Sequence, residues 1–137
     1  MHMKVIDSKK FLILNEEDIA IIRREVRFLA KKHHFSILEI TKVITSTSEI
    51  ARNTLIHGGG GEAKLLVIKE NSKIGIKLIF LDRGPGIHFE KGTSKVIRSN
   101  TQGLGLGLTG SKNLTDEFSI TSREGGGTSV IFLLWKK

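Results

Sequence analysis

The sequence predicts a two-layer α/β sandwich, with helices on one face of a mixed but mostly antiparallel sheet. Three observations carry that prediction. Two amphipathic stretches with helix-capping signals follow one another early in the chain. β-Branched, apolar segments joined by short polar or glycine turns pair off as hairpins on either side of a glycine-rich polar stretch. The length of 137 residues suits one well-buried core and is short for two, so a single domain over 1–137 is expected. The predicted element order is ββ-α-α-β-β-loop-α-β-β.

Lys4 to Ile6 and Phe11 to Leu14 read as strand, either a hairpin or one bulged strand around Asp7 to Lys10. Asn15 is placed to cap the first helix. Glu16, Glu17 and Asp18 favour the positive end of its dipole, and Ile19, Ile22, Val26 and Leu29 keep the spacing of a buried face as far as a basic last turn. The second helix opens on a capping box, Ser36-x-x-Glu39, and buries Ile40, Val43, Ile44, Thr47, Ala51, Thr54 and Leu55. Gly58 to Gly61 end it, because glycine has too much backbone freedom to lose in a helix. Glu62 to Glu70 and Lys73 to Leu81 form a hairpin across Asn71-Ser72. Ile87 to Gln102 has no clean period and reads as a loop. Leu108 to Asp116 is a short helix, and Phe118 to Arg123 with Thr128 to Trp135 is a last hairpin.

The composition is that of an ordinary globular protein, 39% hydrophobic and 26% charged with a single proline. There is no cysteine, hence neither a disulfide nor a thiolate metal site, and no apolar stretch long enough to span a bilayer. A cytoplasmic protein without a membrane segment is expected. The net charge of +8 invites a polyanion, and the densest cationic stretch places Arg23, Arg27 and Lys31 on one helical stripe beside Arg24 and Lys32. Such a stripe is either the solvated face of an amphipathic helix or a surface for an acidic protein partner. Without tyrosine, and with no aromatic interleaved in the stripe, a stacking platform for single-stranded nucleic acid is not built, and no nucleic-acid partner is expected.

Three short motifs stand in a fixed order. On the second helix Glu49 and Asn53 are four residues apart, with His57 four further on, so all three share a polar face. That face is either plain amphipathicity or a site: Asn53 suits Mg2+ shared with nucleotide phosphates, and Glu49 suits a general base, worth about 10²–10⁴-fold in rate. For His57 a helix C-terminal role outweighs ligation. Asp82-x-Gly84-x-Gly86 ends a hydrophobic strand with an acceptor-only side chain that could take an exocyclic amine, beside glycines over which a planar base could rest. A Pro-Gly turn is the plainer reading. Gly103, Leu104, Gly105, Leu106, Gly107 and Leu108 leave free amides at a helix N-terminus, a site for phosphate. Gly105-x-Gly107-x-x-Gly110 imitates a dinucleotide fingerprint, but polar Arg98 to Gln102 precede it where a buried strand is needed. No Walker loop occurs.

In this order, and with Gly127-Thr128 after them, the motifs resemble the boxes of the GHKL ATP-binding superfamily, which has the Bergerat fold. Ser48 to Asn53, Asp82 to Ile87 and Leu114 to Phe118 are most similar to the RsbT-like switch serine kinases of the stressosome. The resemblance implies ATP and Mg2+, with Glu49 as general base, Asn53 as Mg2+ ligand, Asp82 as adenine anchor and Thr128 as a second adenine contact. Gly103 to Gly107 would be the phosphate-covering end of a lid, in which Lys95 and Arg98 are either phosphate contacts or plain loop cations. It further implies transfer to a hydroxyl of a STAS-domain scaffold or antagonist protein, and activation of a PP2C-type phosphatase. The alternative is an anti-sigma kinase resembling RsbW or SpoIIAB. Those usually carry a His-Gly-Tyr after this helix, whereas four glycines follow His57 here and the chain has no tyrosine. A non-catalytic, nucleotide-gated binding module is a further alternative.

Overall fold

The first strand bends. The computed structural model describes residues 3–84, 110–123 and 126–137. It opens with β1 (Met3–Ile13), whose pairing with β2 (Gly61–Glu70) shifts register between Val5 and Asp7. Of the two arrangements open at this segment the bulged strand is found and the hairpin is not, since residues on both sides of the shift pair with the same neighbour. The element order therefore begins with one strand where two were expected. At the bulge Asp7 turns to the end of α1 (Glu16–Lys32): its Oδ2 lies 2.7 Å from His33 Nε2 and 3.2 Å from Lys32 Nζ.

Each helix starts on a reciprocal cap. Asn15 Oδ1 accepts the Asp18 N–H at 3.0 Å, and Asp18 Oδ2 accepts the N–H groups of Asn15 and Leu14, so two orphan donors are satisfied by an acidic residue where glutamate is commoner. In α2 (Ile37–Ile56) the Ser36 hydroxyl accepts the Glu39 N–H and Glu39 Oε1 accepts the Ser36 N–H at 2.7 Å.

β3 (Lys73–Asp82) runs between β2 and β5 (Gly127–Trp135), and β4 (Glu117–Arg123) lies beyond β5, giving the order β1-β2-β3-β5-β4. All four pairings are antiparallel, so among the described strands the sheet has no parallel component. The β2–β3 turn places Asn71 at φ 58, a left-handed conformation that asparagine tolerates. Alternate residues reach one core with the helices: Ala63, Leu65 and Val67, then Ile76, Leu78 and Phe80, then Val130, Phe132 and Leu134, against Ile22, Val26, Val43 and Ile50. This strict alternation is why both helices cover the same face. Phe80 and Phe132 stack at its centre with ring centroids 6.1 Å apart. Between the motif glycines and β4 a helical turn occupies 110–114. No helix among the described residues is long and apolar enough to cross a membrane.

The end of the chain is fastened to the start of α2. The Lys137 N–H donates to Glu39 Oε2 at 2.7 Å, and the Lys136 N–H donates to the Ile74 carbonyl. Burial pushes the Glu39 carboxyl up, but the N–H groups of Ser36 and Lys137, with the Ser36 hydroxyl and the Lys136 charge, outweigh it and hold the carboxyl below its usual range. A carboxyl depressed in the fold binds fewer protons there than in the unfolded chain. Its contribution is therefore complete above its ordinary value of 4.5 and is lost as pH falls through the lower folded value. Glu39→Gln should lower stability at pH 7 by roughly 1–3 kcal/mol. It should also flatten the loss of stability that the parent protein shows below pH 4.5, read from urea midpoints across pH.

Candidate functional site

Register brings the first two groups together. Asp82 ends β3 directly opposite Thr128 in β5. Its Oδ1 accepts the Thr128 N–H at 3.2 Å and the Gly84 N–H at 2.9 Å, while Oδ2 accepts no hydrogen bond from a described residue. One oxygen of an acceptor-only side chain is thus used to fix its direction, and the other keeps its accepting capacity among the described residues. Thr128 is 7% exposed, and its hydroxyl lies 3.1 Å from Ser122 Oγ. Gly127 makes the approach possible: its φ is +86, and a Cβ there would collide with the Asp82 carbonyl.

The second helix meets this pair with its C-terminal end. His57 is the C-cap, exposed, its N–H donating to the Asn53 carbonyl at 2.9 Å. It closes the helix end through its backbone. The next residue, Gly58, rests on Asp82: a Cβ on Gly58 would fall within the Asp82 side chain, and a Cβ on Gly84 would lie 2.8 Å from the Gly58 Cα. Helix end and strand end touch through backbone, which sets the last turns of α2 beside the Asp82–Thr128 pair.

Glu49 and Asn53 lie on those turns, and here the structure differs from the sequence reading. A shared exposed face was expected, but both are half-buried and only His57 is exposed. A step of four residues turns Asn53 about 40° from Glu49, and that turn is toward the core. Asn53 Nδ2 is enclosed and has no hydrogen-bond partner among the described residues. An unpaired buried amide costs about 1–3 kcal/mol, so Asn53 has hydrogen-bonding capacity to spare beyond the described residues, as have the buried hydroxyls of Ser46, Thr47 and Ser111. The two ends of an amide have the same shape, and a half-turn about χ2 offers Oδ1 at the same place, the kind of oxygen a hard cation takes. Glu49, one turn earlier, makes no hydrogen bond or ion pair with a described residue.

A cleft of about 410 Å³ opens beside this junction, lined by Leu12, Leu14, Leu81, Arg83 and the Gly58–Gly61 turn. None of Glu49, Asn53, Asp82 and Thr128 lines it, so it adjoins the site and is not the site. Gly86, and Gly103, Leu104, Gly105, Leu106, Gly107 and Leu108, lie outside the described residues, as do the loop 87–102 and its Lys95 and Arg98. Sequence reasoning missed Gly58, taken as a turn residue, and placed Gly127 in the last motif without its contact with Asp82. The only signal for Gly58 is a glycine immediately after a helix cap, and its contact is 24 positions away in Asp82.

Comparison with known proteins decides what this arrangement belongs to. The chain is 36% identical over 129 residues to serine/threonine-protein kinase RsbT of Bacillus subtilis, across 94% of this chain and 97% of that one. The chain belongs to the RsbT family of serine/threonine-protein kinases. Membership makes it an ATP-dependent serine/threonine kinase of the partner-switching, GHKL type. An anti-sigma F factor of Clostridium acetobutylicum is 28% identical over 128 residues, 89% of this chain and 87% of that one. Among solved structures, the RsbU and RsbW domains of a Mycobacterium tuberculosis protein match with a TM-score of 0.64 at 16% identity. That match covers 93% of this chain, which spans about a third (32%) of the longer protein. The SiaB-SiaC complex of Pseudomonas aeruginosa matches with a TM-score of 0.56 at 12% identity, over 96% and 90% of the two chains. At these identities the two structures show a common fold. No protein-family model matches the chain.

The junction gives a direct test of the family's nucleotide site in this chain. Gly58→Ala should displace the Asp82 carboxylate and lower ATP affinity by at least about tenfold, or 1.4 kcal/mol. Calorimetric titration reads the affinity, and circular dichroism should show the secondary structure retained.

Proposed function

We propose that this chain transfers the γ-phosphate of ATP to a serine or threonine hydroxyl of a STAS-domain scaffold or antagonist protein, acting in the cytoplasm as a stress-response switch of the stressosome type. The observation that carries this reading is the contact of Gly58 with Asp82 and Gly84. It sets Asp82 against the end of the helix that carries Asn53, with its unpaired buried amide, and Glu49, which has no described partner, and this supports reading the three as parts of one nucleotide site. In this reading Asp82 Oδ2 accepts from the adenine amine, Thr128 is the second adenine contact, and Gly84 and Gly86 let the ring approach the backbone. Gly103, Leu104, Gly105, Leu106, Gly107 and Leu108 cover the phosphates with backbone amides.

Asn53 would hold Mg2+ through its amide oxygen. No group of three or more acidic or histidine side chains that could cage a metal occurs among the described residues, and one protein oxygen beside nucleotide phosphates is a usual setting for this ion. The ion supplies neutralisation of phosphate charge. Glu49 takes the proton from the acceptor hydroxyl as that oxygen bonds to the γ-phosphorus and the bond to the β-bridging oxygen breaks, leaving ADP and the phosphorylated partner. Its freedom from any described partner is what such a base requires.

A second role has its own observation. Arg23, Arg24, Arg27 and Lys31 on α1 are exposed and form no ion pair with a described residue, so the stripe is available to an acidic protein, which we take to be a PP2C-type phosphatase. Neither nucleic acid nor membrane is required. An anti-sigma role is the weaker alternative, because four glycines follow His57.

Incubation with ATP, Mg2+ and STAS-domain proteins encoded beside this gene, followed by mass spectrometry, should yield a phosphoserine or phosphothreonine. Glu49→Ala should keep ATP binding and lower transfer at least about 10²-fold. Asp82→Asn should lose binding itself. Normal turnover by the Glu49 variant would sink the mechanism.

A further inference from the structure

The most exposed large aliphatic side chains described in the protein sit together at the start of α2, where Ile37 is 86% and Leu38 65% exposed. Helix capping does not need them. The cap is made by Ser36 and Glu39, and the hydrophobic residue that closes the corner is Phe35, buried at 6% exposure. Leaving two such side chains in water forgoes the hydrophobic stabilisation that burial under a partner would recover.

The ground around them is cationic. The two nearby carboxylates are already taken: Glu39 by the Ser36 and Lys137 N–H groups, and Asp116 by the Trp135 N–H and Lys137 Nζ. Lys136 lies close enough to Glu39, and Lys42 to Asp116, to bias each toward its charged form. His34 is exposed at the same corner. Lys42 also follows Leu38 by four residues and shares its helix face.

Direction along the helix identifies the occupant. Counting 100° per residue, Leu38, Thr45 and Glu49 fall within about 20° of one line, and Leu38 and Glu49 are separated by about 16 Å along the axis. Thr41 and Thr45 between them are exposed. A small globular domain, with a radius of gyration of about 13 Å at 100 residues, covers that span in a single contact. A bilayer lying on the same stripe would also cover Glu49.

We propose that the α1–α2 corner is the docking surface for the acidic protein that this kinase phosphorylates. Ile37 and Leu38 enter an apolar groove of that partner, Lys42 and Lys136 face its carboxylates, Lys137 exchanges its bond to Asp116 for one of them, and the partner's acceptor hydroxyl comes over Glu49. This rests on the kinase reading above.

The test replaces Leu38 with a photo-crosslinking benzoylphenylalanine in cells, with Lys64 on the opposite sheet face as control, and identifies what is captured. The captured protein is then purified and its affinity for the full chain measured. Capture of an acidic protein at position 38 and not at 64 is expected. Its Kd should rise at least about tenfold with Ile37→Ser and Leu38→Ser combined, and similarly with Lys136→Glu and Lys137→Glu. Ile37, Leu38 and Lys137 are exposed and Lys136 is half-buried, and thermal unfolding checks that each pair of substitutions keeps the fold. Unchanged affinity, crosslinks only to lipid or to a second copy, or equal capture at both positions would overturn the inference. A captured partner that binds through Ile37 and Leu38 yet gains no phosphate from ATP would instead overturn the kinase reading and leave the docking surface standing.

Discussion

Two backbone N–H groups, from Gly84 and Thr128, share one oxygen of Asp82, and the rest of the site depends on that bond pair. It aims the free oxygen, ties the end of β3 to the start of β5, and makes the floor on which Gly58 rests. Because the floor is met by a residue with no side chain, the last turns of α2 approach within backbone contact. Any larger residue at Gly58 would push the end of α2 away from Asp82.

The opposite end of α2 is fixed by other means. Glu39 closes its own cap with one oxygen and receives the last residue of the chain with the other, so the helix start, β5 and the C-terminus move as one body. The core between the two ends needs no polar glue: alternate apolar residues of β2, β3 and β5 meet the stripes of both helices. Glu49 and Asn53 are thereby carried on a helix held at both ends, the rigid support that a precisely placed side chain needs.

Most of the fold was legible because its signals are local. Asn15, the Ser36-x-x-Glu39 box, the period of Ile19 to Leu29 and the Asn71-Ser72 turn each announce an element from within a few residues, and each element is found. The bulge in β1 was only half legible, since whether Asp7 breaks a strand or bends it depends on β2, some sixty positions later. The site followed the same rule. Asp82, Asn53 and Glu49 stand out by residue type and order, and Thr128 by the resemblance alone, but the inward turn of Asn53 and the contact of Gly58 come from distant segments meeting. No local pattern records those.

The bulge in β1 has an outcome beyond shape. An edge strand presents a row of unpaired amides and carbonyls to any extended segment that drifts past. Here that row is broken by a register shift at Asp7, which is itself tied to His33 and Lys32, and Lys4, Lys9 and Lys10 lie along the strand. Strand-to-strand recruitment is therefore discouraged along this margin. A protein that works by exchanging partners is left to choose among them by side-chain shape and charge, contacts that can be released as readily as they are made.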